Sequence, residues 1–205
     1  ESTGEAVVAL GVDTTGEFDQ VLYTALAKGA QRGIKLVGDF EGQWLHTRTL
    51  ASLLAPIVQE LSPRLVLTGV QTPHDLDGQL TPVLAALLGW PHVSVVVGAE
   101  FTDSTVRVRK ELWGGMNLDL EIKTPAVLGI QTARRTPRYV PVARVRQVMR
   151  EARLEETDVQ LPMEQMTLQP RLRLPEAVME MELLQGSADE IAERLLAILR
   201  AHGLW

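Results

Sequence analysis

LVLTGVQTPHDLDGQLTPVLAALLGW, residues 65–90, passes from an apolar β-rich run through a polar loop into an apolar helical segment. Strand, loop and helix in that order make half of a βαβ unit, so this stretch decides the fold class. The loop lies at the carboxyl end of its strand, where open α/β sheets bind ligands. Gly69 and Gly78 allow a backbone to approach closely. Asp75 and Asp77 offer acceptors for ribose hydroxyls, and Gln79 opens a helix whose free N–H groups favour a phosphate. The same residues also suit an ordinary βα loop in which Asp77 merely caps the helix. Both readings stand at this level.

Outward from the loop, the pattern repeats. AVVALGV (residues 6–12) is a continuous apolar run, as expected of a strand buried on both faces. A helix follows, with Phe18, Val21, Leu22, Ala25 and Leu26 on one stripe and Gly33 as its stop. IKLVGD is a second strand, and HTRTLASLLAPIVQELSP a second helix, capped by Thr47 or Thr49 and carrying Pro56 as a kink. Strands alternating with helices at this spacing predict an open, mainly parallel sheet with flanking helices. GEFDQ, after the first strand, shares the ambiguity of the later loop: Gly11 and the helix start near Phe18 line the same crevice or simply turn the chain.

The pattern changes after Trp90. HVSVVVGAEFTD and TVRVRKELWGGMNLDLEIKT read as extended, with Trp113–Gly115 as a hairpin turn. Apolar and charged residues alternate in TVRVRKEL, the mark of a half-exposed antiparallel strand. AVLGIQT is a further buried strand, and VARVRQVMREAR (residues 142–153) a basic amphipathic helix. The expected organisation is an α/β domain over residues 1–153, then a C-terminal arm and docking helix over 154–205. Pro162, Pro170 and Pro175 punctuate the arm, and Ser187 with Glu190 form a capping box. Arg134, Arg135, Arg138, Arg144 and Arg146 cluster around Tyr139, between Pro137 and Pro141. That stiff basic loop suits an acidic partner or is a solvated basic face.

Composition excludes several classes. The 205 residues carry 26 acidic and 20 basic side chains, a net charge of −6, which argues against nucleic-acid binding. There is no cysteine, hence no disulfide, thiolate nucleophile or cysteine-held metal. Four histidines (His46, His74, His92, His202) lack metal-ligand spacing, and no apolar run has the roughly 20 residues a membrane span needs, so no direct membrane insertion is expected. Glycine-rich phosphate loops and a GxSxG nucleophile elbow are absent, which leaves no catalytic constellation. The chain opens without Met and enters a strand almost at once, so a segment before Glu1 is expected.

Four stretches carry a resemblance: YTALAKGAQRGIKL, the opening loop and helix, VRKELWGGMNLDLEIKTPAVLGIQT, and TPRYVPVARVRQVMREAR. In this order the chain resembles the β subunit of an electron-transfer flavoprotein, roughly from Ala6 to Arg153 and without the family's opening strand. The resemblance implies an adenine-nucleotide α-hydrolase-like fold. It also implies a heterodimer with an α subunit carrying most of the FAD site, passing electrons from flavoprotein dehydrogenases to a quinone reductase or other acceptor. The chain would then be an electron carrier and not a catalyst, placed in a bacterial cytosol or a mitochondrial matrix. The β subunit itself would hold AMP, or a second FAD. By position, Gly11, Gly69, Gln71, Asp75, Gly78 and Gln79 would contact the nucleotide, and Arg138, Tyr139 and Val142 would form the partner-recognition loop, Val142 as its anchor. Leu80 and Thr81 stand where the family commonly has Thr or Val followed by Gly. The rival reading is an adenine-nucleotide-binding regulatory or structural module without electron transfer.

Overall fold

The computed structural model describes residues 4–40, 45–72, 75, 77–102, 104–132, 136–161 and 183–204. It divides into two units, Glu1–Pro170 and Arg171–Trp205.

The first unit is α/β, as expected. Its strands are β1 (Val8–Val12), β2 (Arg32–Val37), β3 (Leu65–Gly69), β4 (His92–Phe101), β5 (Thr105–Glu111), β6 (Asn117–Lys123), β7 (Ala126–Ile130) and β8 (Glu155–Asp158). Its helices are α1 (Asp19–Ala27), α2 (Thr47–Leu61), α3 (Leu80–Leu88) and α4 (Val142–Glu151). Hydrogen bonding divides the strands into a sheet of order β1-β2-β8 and a second of order β3-β7-β4-β5-β6. β1, β2 and β8 are mutually parallel, as are β3, β7 and β4. β5 and β6 add the predicted antiparallel hairpin, closed by a 3-10 turn at Trp113–Gly115, where Gly114 and Gly115 take φ of +66° and +76°.

One core lies where α2 and α3 meet the parallel strands, with Leu36, Phe40, Ala51, Leu84, Ala85 and Val127 sealed from solvent. A second fills the antiparallel side around Val96, Val106, Val108, Ala126 and Leu128. β1 and β3 each stand at the end of a sheet, and this changes one expectation. β1 reads as buried on both faces, yet it is only half-buried throughout, and Leu67 of β3 is 61% exposed. A strand at the end of a sheet has a neighbour on one side only, so its side chains on both faces are covered less than those of a central strand, whatever its sequence prefers.

Other boundaries shift for local reasons. α1 ends at Ala27, before Gly33, which lies inside β2 where an added Cβ would come within 2.9 Å of Leu154 Cδ2. α2 is capped by neither Thr47 nor Thr49. His46 takes the N-cap, its Nδ1 accepting from the Arg48 N–H at 3.2 Å. Pro56 sits within α2 on its exposed side, and the helix continues through it. The segment after Leu154, expected to begin an arm, first supplies β8, which pairs with β2 from Ile34↔Glu155 to Val37↔Asp158. Of that segment, 162–182 lies outside the described residues, as do Pro162, Pro170 and Pro175.

In the second unit α5 (Ala188–Ala201) begins with the predicted capping box. The Ser187 Oγ accepts from the Glu190 N–H, and the Glu190 carboxylate accepts from the Ser187 N–H at 2.8 Å. No residue of α5 is buried, and Leu195 and Ile198 of its apolar stripe are exposed.

Candidate functional site

The carboxyl ends of β1 and β3 open onto a cavity of about 230 Å³. Val12 and Thr14 line it from the β1 side, and Gly69, Gln71, Thr72 and Asp75 from the loop after β3. Leu45, Thr47, Leu50 and Leu80 close it from the starts of α2 and α3. Gly69 presents bare backbone there, since an added Cβ would meet nothing within 4 Å. At the other end of the same strands, away from the cavity, the Arg64 guanidinium pairs with Glu5 and ties the entries of β1 and β3 together. Asp13 shapes the β1–α1 loop by accepting from the backbone N–H groups of Thr15 (3.2 Å) and Gly16 (2.7 Å).

Asp75 is the organising residue. Its Oδ1 accepts from the Thr47 hydroxyl at 2.6 Å and from the Gln79 N–H at 3.4 Å, and its Oδ2 from the Leu80 N–H at 3.2 Å. A carboxylate on the first N–H groups of a helix satisfies donors that lack intrahelical partners and complements the helix dipole. Gln79 stands at the N-cap position of α3, and the carboxylate that serves its first N–H groups comes from Asp75, five residues ahead of Leu80, and not from Asp77, which is exposed. Thr72 and Asp75 exchange backbone hydrogen bonds, which turns the loop back so that the carboxylate reaches the helix start. Gly78 takes φ +62°, and a Cβ there would come within 2.7 Å of the Val70 carbonyl oxygen. Only glycine fits that turn.

Of the six residues expected at a nucleotide, Gly69, Gln71 and Asp75 line the cavity. Gly78 and Gln79 shape the loop and the start of α3 behind it. Gly11 has a different neighbour: the Phe18 ring packs directly over it, in the space a Cβ would take. Residue patterns missed the cavity's apolar wall of Val12, Leu45, Leu50 and Leu80, which comes from three separate segments, the end of β1 and the starts of α2 and α3. Thr47 gave a signal, as a hydroxyl at a helix start, but its partner is 28 residues away.

Beside the cavity mouth, Lys35 ties four elements together. Its side chain is 10% exposed, with Nζ 2.8 Å from Asp19 and 3.0 Å from Glu156, and 3.9 Å from the buried Asp13. Hydrogen bonding to Asp19 and then to Glu156 holds its ammonium proton well above the ordinary lysine range, against the opposing effect of burial. Among the described residues, no three His, Asp or Glu side chains gather as a metal site requires. No described helix is long and apolar enough to cross a membrane.

Residues 1–162 match the family described as "Electron transfer flavoprotein domain". The electron transfer flavoprotein subunit beta of Methylophilus methylotrophus is 32% identical over 143 residues, covering 69% of this chain and 53% of the relative. The protein of that name from Dictyostelium discoideum is 31% identical over 148 residues, covering 72% of this chain and 55% of the relative. The chain belongs to the electron transfer flavoprotein β-subunit family. It spans about half the length of the curated relatives it matches.

Within this family member, the basic loop leads into α4. Tyr139 is 83% and Val142 64% exposed, Arg138 is exposed beside them, and Pro141 caps the helix. α4 packs on α1 through the buried Val148, while Arg144 bonds Gln147 at 3.0 Å along the outer face. The structure thus brings Arg138, Tyr139 and Val142 onto one exposed turn. Arg134 and Arg135 lie outside the described residues.

Proposed function

We propose that this chain is the β-like subunit of an electron-transfer flavoprotein. It pairs with an α subunit that carries FAD, and the pair passes electrons from flavoprotein dehydrogenases to an acceptor. Family membership supports the reading, and the observation that carries it is the cavity at the carboxyl ends of β1 and β3, where α/β sheets hold nucleotides. A flavin, when bound to the pair, supplies the redox chemistry. This chain's residues supply binding, orientation and electrostatics.

In this chain the cavity takes the adenosine part of a nucleotide. Gly69 lets a ring lie against backbone, the apolar wall covers it, and the hydroxyls of Thr14, Thr47 and Thr72 with the Gln71 amide supply polar partners. About 230 Å³ is below the roughly 300–1,000 Å³ of drug-sized sites, which favours a mononucleotide such as AMP over a second FAD. The turn of Arg138, Tyr139 and Val142 presents an exposed, cationic and apolar surface suited to a dehydrogenase with an acidic face. The cysteine-free composition suits a reducing cytosol or matrix.

The test is co-expression with an α subunit of this family. The expected outcome is a one-to-one yellow complex that a flavoprotein dehydrogenase reduces. A stable, colourless chain that never pairs overturns the reading. A second reading, a nucleotide-binding module without electron transfer, is favoured by the way Asp75 already occupies the start of α3. Its sign would be reversible ligand exchange with no complex formed.

A further inference from the structure

α4 is held to the first unit by one side only. Val148 is buried, and Val145 and Ala152 are half-buried, where the helix packs on α1. At 3.6 residues per turn, Val142, Arg146 and Met149 fall on one face turned away from that contact, with Arg150 beside them. All four are exposed, Val142 at 64% and Met149 at 46%. Met149 thus stands two turns, roughly 10 Å, along the helix from Val142.

The chemistry of this ridge is that of a contact surface. Arginine and methionine are both enriched where proteins meet partners, and a methionine adapts to an irregular apolar neighbour. Arg150 Nε donates to the Arg146 carbonyl oxygen at 3.3 Å, which steadies its guanidinium along the ridge. Among the described residues, no carboxylate pairs with Arg146 or Arg150. Glu151, the acidic residue of α4, lies on another flank and accepts from the Gln147 amide at 2.8 Å. The chain as a whole carries −6, so this cationic strip selects a partner face of opposite sign to itself. It also runs on without a break from the exposed turn of Arg138, Tyr139 and Val142.

We propose that Val142, Arg146, Met149 and Arg150 form one docking ridge for an acidic face with an apolar centre on the flavoprotein dehydrogenase, in which Met149 is a second apolar anchor. The inference rests on the reading of the turn as the dehydrogenase contact and extends that contact along α4. One anchor at Val142 leaves the partner free to rotate about it. A second, roughly 10 Å away, fixes the orientation of the docked pair. Arg146 lies between the two and Arg150 beside the second, where they steer the approach and hold the acidic rim.

Steady-state reduction of the pair formed with an α subunit, by a flavoprotein dehydrogenase that reduces the unaltered pair, tests it. Met149→Ala is expected to raise KM for the pair by about fivefold with kcat unchanged. Arg146→Gln with Arg150→Gln should raise KM and flatten its dependence on salt. Arg107→Gln, an exposed arginine of β5, should leave both constants as they were. Circular dichroism and pairing with the α subunit report that each variant is folded. A folded Met149→Ala pair with unaltered KM overturns the second anchor. A double arginine variant with the original salt dependence overturns the role of the cations. Sedimentation of the unaltered pair with phosphatidylglycerol vesicles, abolished in the double arginine variant, would make the ridge a lipid contact and overturn the inference. If no dehydrogenase reduces the unaltered pair, the electron-carrier reading falls and takes the inference with it, a result distinct from reduction that is indifferent to the ridge.

Discussion

At Lys35 one ammonium holds together the end of β1, the start of α1, the middle of β2 and β8. Removing it takes from Asp13, whose side chain is 7% exposed, the cation 3.9 Å away. Lys35→Met should cost about 2 kcal/mol, less than the roughly 3–5 kcal/mol of a fully buried pair because Asp19 and Glu156 reach solvent. The pH dependence follows from the raised lysine value. Its contribution is complete below the ordinary lysine value of about 10.4 and is lost as pH rises toward the folded value. Urea midpoints measured from pH 8 to 11 should therefore fall more steeply for the unaltered protein than for Lys35→Met. Gly11 makes a second residue-level case. Gly11→Ala should destabilise because the new methyl group enters the space of the Phe18 ring, and Phe18→Ala in the same chain should recover part of the loss. Additive losses in the double variant, measured by the same unfolding curves, would show that the ring is not what requires glycine there.

α2 carries an exposed proline ten residues into a fifteen-residue helix. A proline there removes one N–H and crowds the preceding turn, so Pro56→Ala should stabilise by about 1–3 kcal/mol. For a chain of this size that corresponds to a rise of several degrees in melting temperature, at roughly 2–4 °C per kcal/mol. A lower melting temperature would mean that the proline ring itself contributes to the stability of α2. The elements also show what a sequence conveys. β3, the loop and α3 are legible because apolar period and loop chemistry change together at Gly69 and again at Gln79. The choice between Asp75 and Asp77 as cap is not. It depends on the reversal at Thr72 and Asp75 and on a threonine from another helix, neither of which leaves a local pattern. β8 escapes for a related reason: EETD is polar and short, and only its partner β2 makes it a strand. Gly33 looks like a helix stop until its tight fit beside Leu154 gives it a different purpose.

Across the whole molecule, both hydrophobic cores lie between residues 8 and 161, and α5 contributes no buried side chain. A chain ending at Pro170 should therefore unfold cooperatively with nearly the stability of the full chain, as read by thermal melting. A broad, non-cooperative melt would show that the second unit supports the first. Charge is divided as well: a net of −6 overall, against an exposed turn at Arg138–Val142 that leads into the arginines of α4. Docking through that turn should weaken as salt rises past about 0.15 M, where charges more than roughly 8 Å apart are screened. The hairpin between β5 and β6 gives the protein a different kind of handle. Trp113, at its tip, is 86% exposed. An indole in water emits at long wavelength, and tryptophan emission overlaps the absorption of oxidised flavin. In a chain whose other three tryptophans, Trp44, Trp90 and Trp205, are replaced by Phe, a flavin-bearing subunit that settles over this tip would shift the emission to the blue as well as quench it, whereas one that docks elsewhere would leave the colour unchanged. The Gly-Gly turn thus holds out a native fluorescent label, able to report the side from which a partner arrives without any dye.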